Sequence, residues 1–401
     1  MICHVDADAF FASVLGRGDP RLRGKPLLAL GMGGTCVIAA TYEAKAKGVK
    51  TGMHITEAVK LCPEALRVPS DFRETAIASH EIEGILGEQC PLLEQMSVDE
   101  WFLDLRSLRG GLSDDLHGWA KNLQQNILRR TSLSVSVGVA PTKLLSKMAS
   151  EYKKPAGITV VAHATIEEFL HDRPAAAIPG IGKQRLIASE AHGWETAWDI
   201  AQADPEKIQK LFGKPGREIQ LELLGYQVSP VTPESEPQKS ISRARSFLRT
   251  GDRDVLWAHV LRHLEYVVLK MRREGLAARG LTVWLRQEDF TMRSESQRLP
   301  QLLDTEEQLR PYARHCFDIG YDSRYRYNQT GVALWNLRQR GASQYDLFED
   351  PRNLDRSEKI QHTLDSLHAR FGRESITRGA ALPVRGAAKP AISLPIVEGA
   401  S

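Results

Sequence analysis

An α+β fold spread over several domains is what this sequence predicts, on three observations. With 401 residues the chain outgrows the ~250–300 residues at which a single hydrophobic core stops enlarging. Strand-like and helix-like apolar patterns alternate through about residue 161, as layered sheet and helix require. After a proline-bearing break, VSPVTPESEPQK at 228–239, the order βαββαβ returns between 241 and 340, long enough for a domain with its own core.

The elements follow in order. ICHVDADAF (2–10) is an apolar stretch ending in acids and reads as a first strand, whose two-residue period puts Asp6 and Asp8 on one side. RGDPRLRGKP (17–26) is turn-rich; PLLALG (26–31) and TCVIAAT (35–41) read as strands, the second leading into a helical YEAKAKG. A helical spacing over 73–86 precedes PLLEQMSVDEWFLDL (91–105), two apolar stretches around an acidic turn and hence a hairpin. A helix at 116–131, a strand at 132–140, a helix at 144–153 and a strand at 157–161 complete this part. From 178 the texture changes to short helices and glycine turns, PGIGKQRL and LFGKPGREI. Past the second domain lie SQYDLFED, a helix with Ile360, Leu364, Leu367 and Phe371 on one face, and a Pro/Ala-rich tail with the composition of disorder.

Bulk composition excludes several classes. At 42% apolar and 26% charged, with no apolar run near the ~20 residues of a membrane span, the chain reads as a globular protein with no membrane partner. The N-terminus MICHVDADAFFA is acidic where an export signal would be basic, so a cytoplasmic location is expected. Cys3, Cys36, Cys62, Cys90 and Cys316 are scattered without a C-x-x-C pair, which argues against a disulfide framework or a zinc site. Net charge is only +3, but Lys239 to Arg340 holds 19 Lys+Arg against 12 Asp+Glu, which leaves −4 for the remainder. Such segregation suits a phosphate backbone.

Two acidic pairs carry the chemistry. Asp6 and Asp8 close one apolar strand; Asp99 and Glu100 interrupt an apolar hairpin. Hard oxygen ligands at strand ends suit Mg²⁺, and two such ions ~4 Å apart stabilise both the attacking and the leaving oxygen of a phosphoryl transfer.

HVDADAFFASV (4–14), SVDEWFLDL (97–105), SVSVGVAPTKLLSKMAS (134–150), KKPAGITVV (153–161) and KSISRARSF (239–247) together resemble, in order, the motifs of the Y-family DNA polymerases, over roughly residues 1–350. The resemblance implies a right-hand polymerase: a palm (1–11 and 72–168), fingers (12–71), a helical thumb (169–230), a linker (231–240), a βαββαβ little finger (241–341) and a terminal segment (342–401) with a clamp-binding motif, a helix and a flexible tail. It implies low-fidelity, template-directed DNA synthesis past lesions on primer-template DNA with dNTPs, using two Mg²⁺ ions for which Mn²⁺ can substitute. Asp6, Asp99, Glu100 and the carbonyl of Ala7 match the metal ligands. Phe11 matches the aromatic that collides with a ribose 2′-OH; Phe10 and Phe11, read as strand neighbours, face opposite ways. Tyr42, Lys45 and Lys154 match residues that hold the triphosphate, and Ile38 and Gly52 match the roof over the nascent base pair. Two departures stand out: Ala39 where the family has Thr, and Lys45 where it has Arg, each implying fewer hydrogen bonds to phosphate.

PGIGK resembles a helix-hairpin-helix, with Gly180, Gly182 and Lys183 presenting backbone amides to a DNA phosphate. Arg243 and Arg245 share one strand face and can track a duplex. Gln344, Leu347 and Phe348 fit the Q-x-x-L-F peptide that docks on a sliding clamp. A monomer resembling bacterial DNA polymerase IV is the expectation. The rivals are a catalytically inactive DNA-binding scaffold, which would lack the carboxylates retained here, and a two-metal nuclease or cyclase with a palm-like fold.

Overall fold

The computed structural model describes residues 1–112, 114–233, 237–340, 351–372, 375–376 and 379–384. They form two compact units, one within 1–235 and one within 236–390. The first unit begins β1 (Ile2–Ala7), α1 (Phe10–Gly18), β2 (Leu27–Leu30), β3 (Val37–Ala40), α2 (Tyr42–Lys45), α3 (Ile55–Leu61) and β4 (Leu66–Pro69). It continues with α4 (Phe72–Gln89), β5 (Leu93–Gln95), β6 (Glu100–Asp104), α5 (Leu116–Thr131), β7 (Val135–Ala140), α6 (Lys143–Tyr152) and β8 (Ile158–Val160), and ends in α7 (Ile166–His171), α8 (Lys183–Glu190), α9 (Ala197–Gln202) and α10 (Pro205–Leu223).

Its main sheet has the order β5-β6-β1-β7-β8, antiparallel except for the parallel pair β7-β8. Every residue of β1 is buried, and alternation sorts them. Cys3, Val5 and Ala7 join one apolar core with Ile82, Ile85 and Leu86 of α4 and Leu123 and Ile127 of α5. On the other face His4 meets α6, its Nδ1 2.7 Å from Ser150 Oγ. Side-chain caps hold the two long helices: Asp71 accepts from the Arg73 and Glu74 amides, and Asp115 from that of Gly118. A smaller sheet, β3-β2-β4, packs its apolar side on Ala44, Ala58 and Cys62. Helices α7 to α10 close around Leu170, Ile200, Ile208 and Leu223.

The first strand ends earlier than its alternation predicts. Ala9 takes a left-handed conformation (φ 47°, ψ 42°) and the chain turns into α1. Asp8 therefore lies in a turn and does not share a strand face with Asp6, and Phe10 and Phe11 are helical neighbours, not strand neighbours. Helices α1 and α3 and strand β4 escaped the sequence pattern because they are short; α1 also contains Gly16 and weakens its own helix signal.

The second unit comprises β9 (Ser240–Thr250), α11 (Arg253–Arg273), β10 (Leu276–Gln287), β11 (Met292–Leu303), α12 (Glu306–Gly320), β12 (Tyr327–Trp335), β13 (Arg338–Gln339) and α13 (Pro351–Phe371). Its sheet runs β11-β10-β12-β9, with β13 pairing β10. Leu281, Val283, Leu285, Val332 and Leu334 pack with Leu264, Val268 and Phe317 of α11 and α12. On the opposite face Trp284 and Trp335 lie against Gly331 and Gly280 of adjacent strands, where any Cβ would stand 2.1 and 2.3 Å from the indoles. Helix α13 buries only the middle of its predicted apolar face, Leu364 and Leu367, each half-buried. Ile360 and Phe371 are 45% and 61% exposed, while Gln361 is buried and Asp365 pairs with Arg272 at 2.7 Å. That guanidinium also meets Asp304 at 2.6 Å and is largely enclosed, so polar residues of the helix share its packed side with Leu364 and Leu367. Among the described residues, no helix is long and apolar enough to cross a membrane.

Candidate active site

The β1-β6 ladder places Asp6 directly opposite Glu100, and the Ala7 amide donates to the Asp99 carbonyl at 2.9 Å. Oxygens of Asp6, Glu100 and Glu151 converge within 4.8 Å of one another. Glu151 comes from α6 and escaped the sequence reading; its helical i,i+3 spacing from Lys154 was the available signal. The side chain of Asp99 is not in that group and accepts from Ser97 Oγ at 2.6 Å. Two ammonium groups stand among the acids: Lys147 pairs with Glu100, and Lys154 bridges Asp6 (2.6 Å) and Glu151.

Burial pushes the Asp6 carboxyl up to about 8; Lys154 pulls it down without offsetting that effect, and Glu151 and Glu100 add to the rise. Hard carboxylate oxygens converging from two strands and a helix, three acids against the two ammonium groups of Lys147 and Lys154, fit a divalent cation.

With the folded value of Asp6 raised, its favourable contribution is complete below the ordinary carboxylate range and is lost as pH rises through about 8. In EDTA, Asp6→Asn is expected to melt above the parent at pH near 8.5, with the gap narrowing toward pH 4. Calorimetric melts check this, and parallel curves across the range would remove the electrostatic penalty.

Other predicted residues sit in α1, β3, α2 and the segments beside them. Phe11, half-buried, meets the Phe72 ring edge-on at 5.8 Å and packs with Ile38 and Ala39, whereas Phe10 is buried in the core. Gly52 donates its amide to the Val37 carbonyl (2.8 Å), which sets it beside Ile38; its φ of 88° suits glycine. The Tyr42 hydroxyl points at Asp8 (3.4 Å), and burial, then the charges of Asp8 and Asp6, hold its pKa up so that it stays a donor. Lys45 lays its ammonium over the Tyr42 ring at 4.5 Å. Thr41, next to Tyr42, donates to the Lys25 carbonyl (3.1 Å) and accepts from the Leu27 amide (3.0 Å), which ties α2 to β2.

Gly180 has φ 92°, Gly182 caps α8 without a side-chain bond, and Lys183 is exposed. Arg185 Nη1 donates to the Gly180 carbonyl (2.9 Å) and steadies the turn. Arg243 and Arg245 do lie on one face of β9, but it is the face toward α11: Arg243 stacks on Tyr266 at 4.1 Å. The opposite face of β9 presents Ser242, Ala244, Ser246 and Leu248, which a search for arginines could not single out. Gln344, Leu347 and Phe348 fall outside the described residues.

Comparison with known proteins adds a family. Residues 5–151 match the impB/mucB/samB family and residues 238–347 its C-terminal domain. The DNA polymerase IV of Xanthomonas axonopodis pv. citri is 33% identical over 351 residues, covering 86% of this chain and 97% of that protein. That of Moorella thermoacetica is 33% identical over 391 residues, 95% of this chain and 96% of that one. Among solved structures, a Y-family DNA polymerase chimera superposes with a TM-score of 0.74 at 27% identity, covering 84% of this chain and 99% of its own. With its catalytic sheet, its separate βαββαβ unit and nearly the whole length of these relatives in common, the chain belongs to the impB/mucB/samB family and is a Y-family, translesion DNA-directed DNA polymerase.

Proposed function

We propose that Asp6, Asp99, Glu100 and the Ala7 carbonyl hold two Mg²⁺ ions, replaceable by Mn²⁺, for primer extension across damaged template DNA. Bound there, the ions would activate the primer 3′-OH and neutralise the triphosphate. The observation that carries this reading is the facing of Asp6 and Glu100 across a buried ladder, with their oxygens within 4.8 Å of each other. The chain supplies rigidity: β1 is hydrogen-bonded on both sides, so its carboxylate holds position without reorganisation. Asp99, adjacent in sequence to Glu100, joins them by turning from Ser97. Tyr42, Lys45 and Lys154 hold the β and γ phosphates, Phe11 meets the sugar, and Ile38 and Gly52 roof a base pair with little steric selection.

In this reading the palm is 1–11 with 72–168, the fingers 12–71, the thumb 169–230 and the little finger 241–341. The amides at Gly180, Gly182 and Lys183 meet one DNA phosphate, Arg243 and Arg245 add long-range attraction, and the serine-rich face of β9 lies closest to the duplex. The enzyme works as a cytoplasmic monomer. Incubation with primed template, dNTPs and Mg²⁺, on intact and damaged templates, tests it: no extension on either would refute the assignment.

Gln344, Leu347 and Phe348 tether the enzyme to a sliding clamp, which raises its effective concentration at the primer end. Leu347→Ala with Phe348→Ala is expected to abolish stimulation by the clamp and to spare clamp-free synthesis. Equal stimulation of variant and parent in a processivity assay would leave this peptide without a docking role.

A further inference from the structure

Asp8 stands outside the carboxylates that converge at Asp6 and Glu100, yet it is only 2% exposed. Burying a carboxylate is costly unless donors surround it. Four do. Ser134 Oγ (2.6 Å) and the Ala156 amide (2.9 Å) donate to Oδ2, and Ser136 Oγ (2.7 Å) and the Tyr42 hydroxyl (3.4 Å) to Oδ1. The Asp8 backbone is fixed as well: its amide donates to the Ser134 carbonyl (2.9 Å), and its carbonyl accepts from Ser13 Oγ (2.6 Å).

These donors arrive from segments far apart in the chain: β7 and its approach, the start of α2, and the loop that follows Lys154. The loop needs outside support, because Ala156 sits at φ 55°, a conformation unfavourable for alanine. Ser136 reinforces the arrangement by also accepting from the Gly157 amide (3.4 Å).

We propose that Asp8 is a positioning residue for nucleotide addition: its buried carboxylate ties the Tyr42 hydroxyl and the loop after Lys154 to the sheet and so sets the spacing of two triphosphate contacts. The proposal rests on the reading above that Tyr42 and Lys154 hold the triphosphate. Oδ2 faces the Ser134 hydroxyl and the Ala156 amide, and Oδ1 the Ser136 and Tyr42 hydroxyls; an amide at position 8 removes the charge these donors share and turns its N–H toward the two hydroxyls, which must reverse to accept, so the charge-assisted bonds to both segments become neutral ones. The anchoring of Tyr42 and of the loop after Lys154 weakens while charge at Asp6 and Glu100 is untouched.

Insertion kinetics with dNTPs and the matching dNDPs test the role. Asp8→Asn is expected to raise KM for dNTP about tenfold, the effect of losing one charge-assisted hydrogen bond, with kcat and DNA affinity little changed. The preference for dNTP over dNDP should narrow by a similar factor, because the phosphate grip is what has loosened. A packing defect would depress use of both nucleotides alike; an unchanged preference therefore overturns the proposal. Tyr42→Phe combined with Asp8→Asn should cost less in kcat/KM than the product of the single effects, and strict additivity also counts against it. If Asp8→Asn does not fold, Ser136→Ala reads the same preference by removing a neutral hydroxyl shared by Asp8 and Gly157, and no change there is equally fatal. Failure of the parent to incorporate dNTPs at all defeats the underlying reading, whereas a working parent with an indifferent variant defeats only the role of Asp8.

Discussion

Asp99→Ala and Glu100→Ala are each expected to lower nucleotide addition by at least about 10³-fold, beyond the ~10²–10³ that loss of a single electrostatic donor costs. Glu100 starts β6 opposite Asp6, so its removal takes away half of the facing pair and leaves Lys147 without that partner. Asp99 differs: its side chain rests on Ser97 while its carbonyl accepts from Ala7. Truncation there keeps the ladder and removes only the carboxylate. DNA affinity should survive in both variants, because binding to a phosphate backbone comes chiefly from Lys and Arg. Extension and anisotropy titrations at one fixed salt concentration separate the two properties. Robust extension by either variant would take that residue out of the metal set and direct attention to Glu151, whose oxygen already lies with those of Asp6 and Glu100.

Phe11→Ala is expected to lower discrimination against ribonucleotides by about 10²-fold, the scale at which pocket shape resolves a single hydroxyl. The ring is half-buried, edge-on to Phe72 and packed on the cluster that includes Ala39, so truncation opens space beside it, which in the proposed reading is where the sugar lies, and costs about 1–3 kcal/mol of stability, less than for a fully buried phenylalanine. Phe10→Ala is the informative contrast. Phe10 lies inside the core shared with Ile82 and Leu103, so its loss should lower the melting temperature more and leave sugar choice alone. Ratios of rNTP to dNTP insertion efficiency decide the matter: selectivity retained in Phe11→Ala, or lost equally in both variants, would place the gate on another residue.

Local pattern carried much of this protein. Apolar stretches broken by acids marked β1 and the β5-β6 hairpin, because charge on a buried strand is too costly to occur without a use. Helix α5 and the βαββαβ order of the second unit were legible since long periodic segments state their own type. Short elements were not: α1, α3 and β4 hold too few residues for a period to stand out, and the left-handed Ala9 that ends β1 leaves no trace in the pattern of apolar side chains.

What the sequence by itself determined is therefore the fold class, the family and the acids Asp6, Asp99 and Glu100 as candidate metal ligands; the ladder register decided that Asp6 and Glu100 face each other. Tertiary structure alone decided which neighbours those acids have. Glu151 and Lys147 reach them from α6, Asp8 is drawn to Ser134, Ser136, Ala156 and Tyr42, Arg243 turns to Tyr266, and Asp365 of α13 pairs with Arg272. The reason is physical. Burial and periodicity act within a segment and are written along it, whereas a buried charge takes its partners from wherever packing brings donors within about 3 Å, a distance that carries no signature in the separation of residues along the chain.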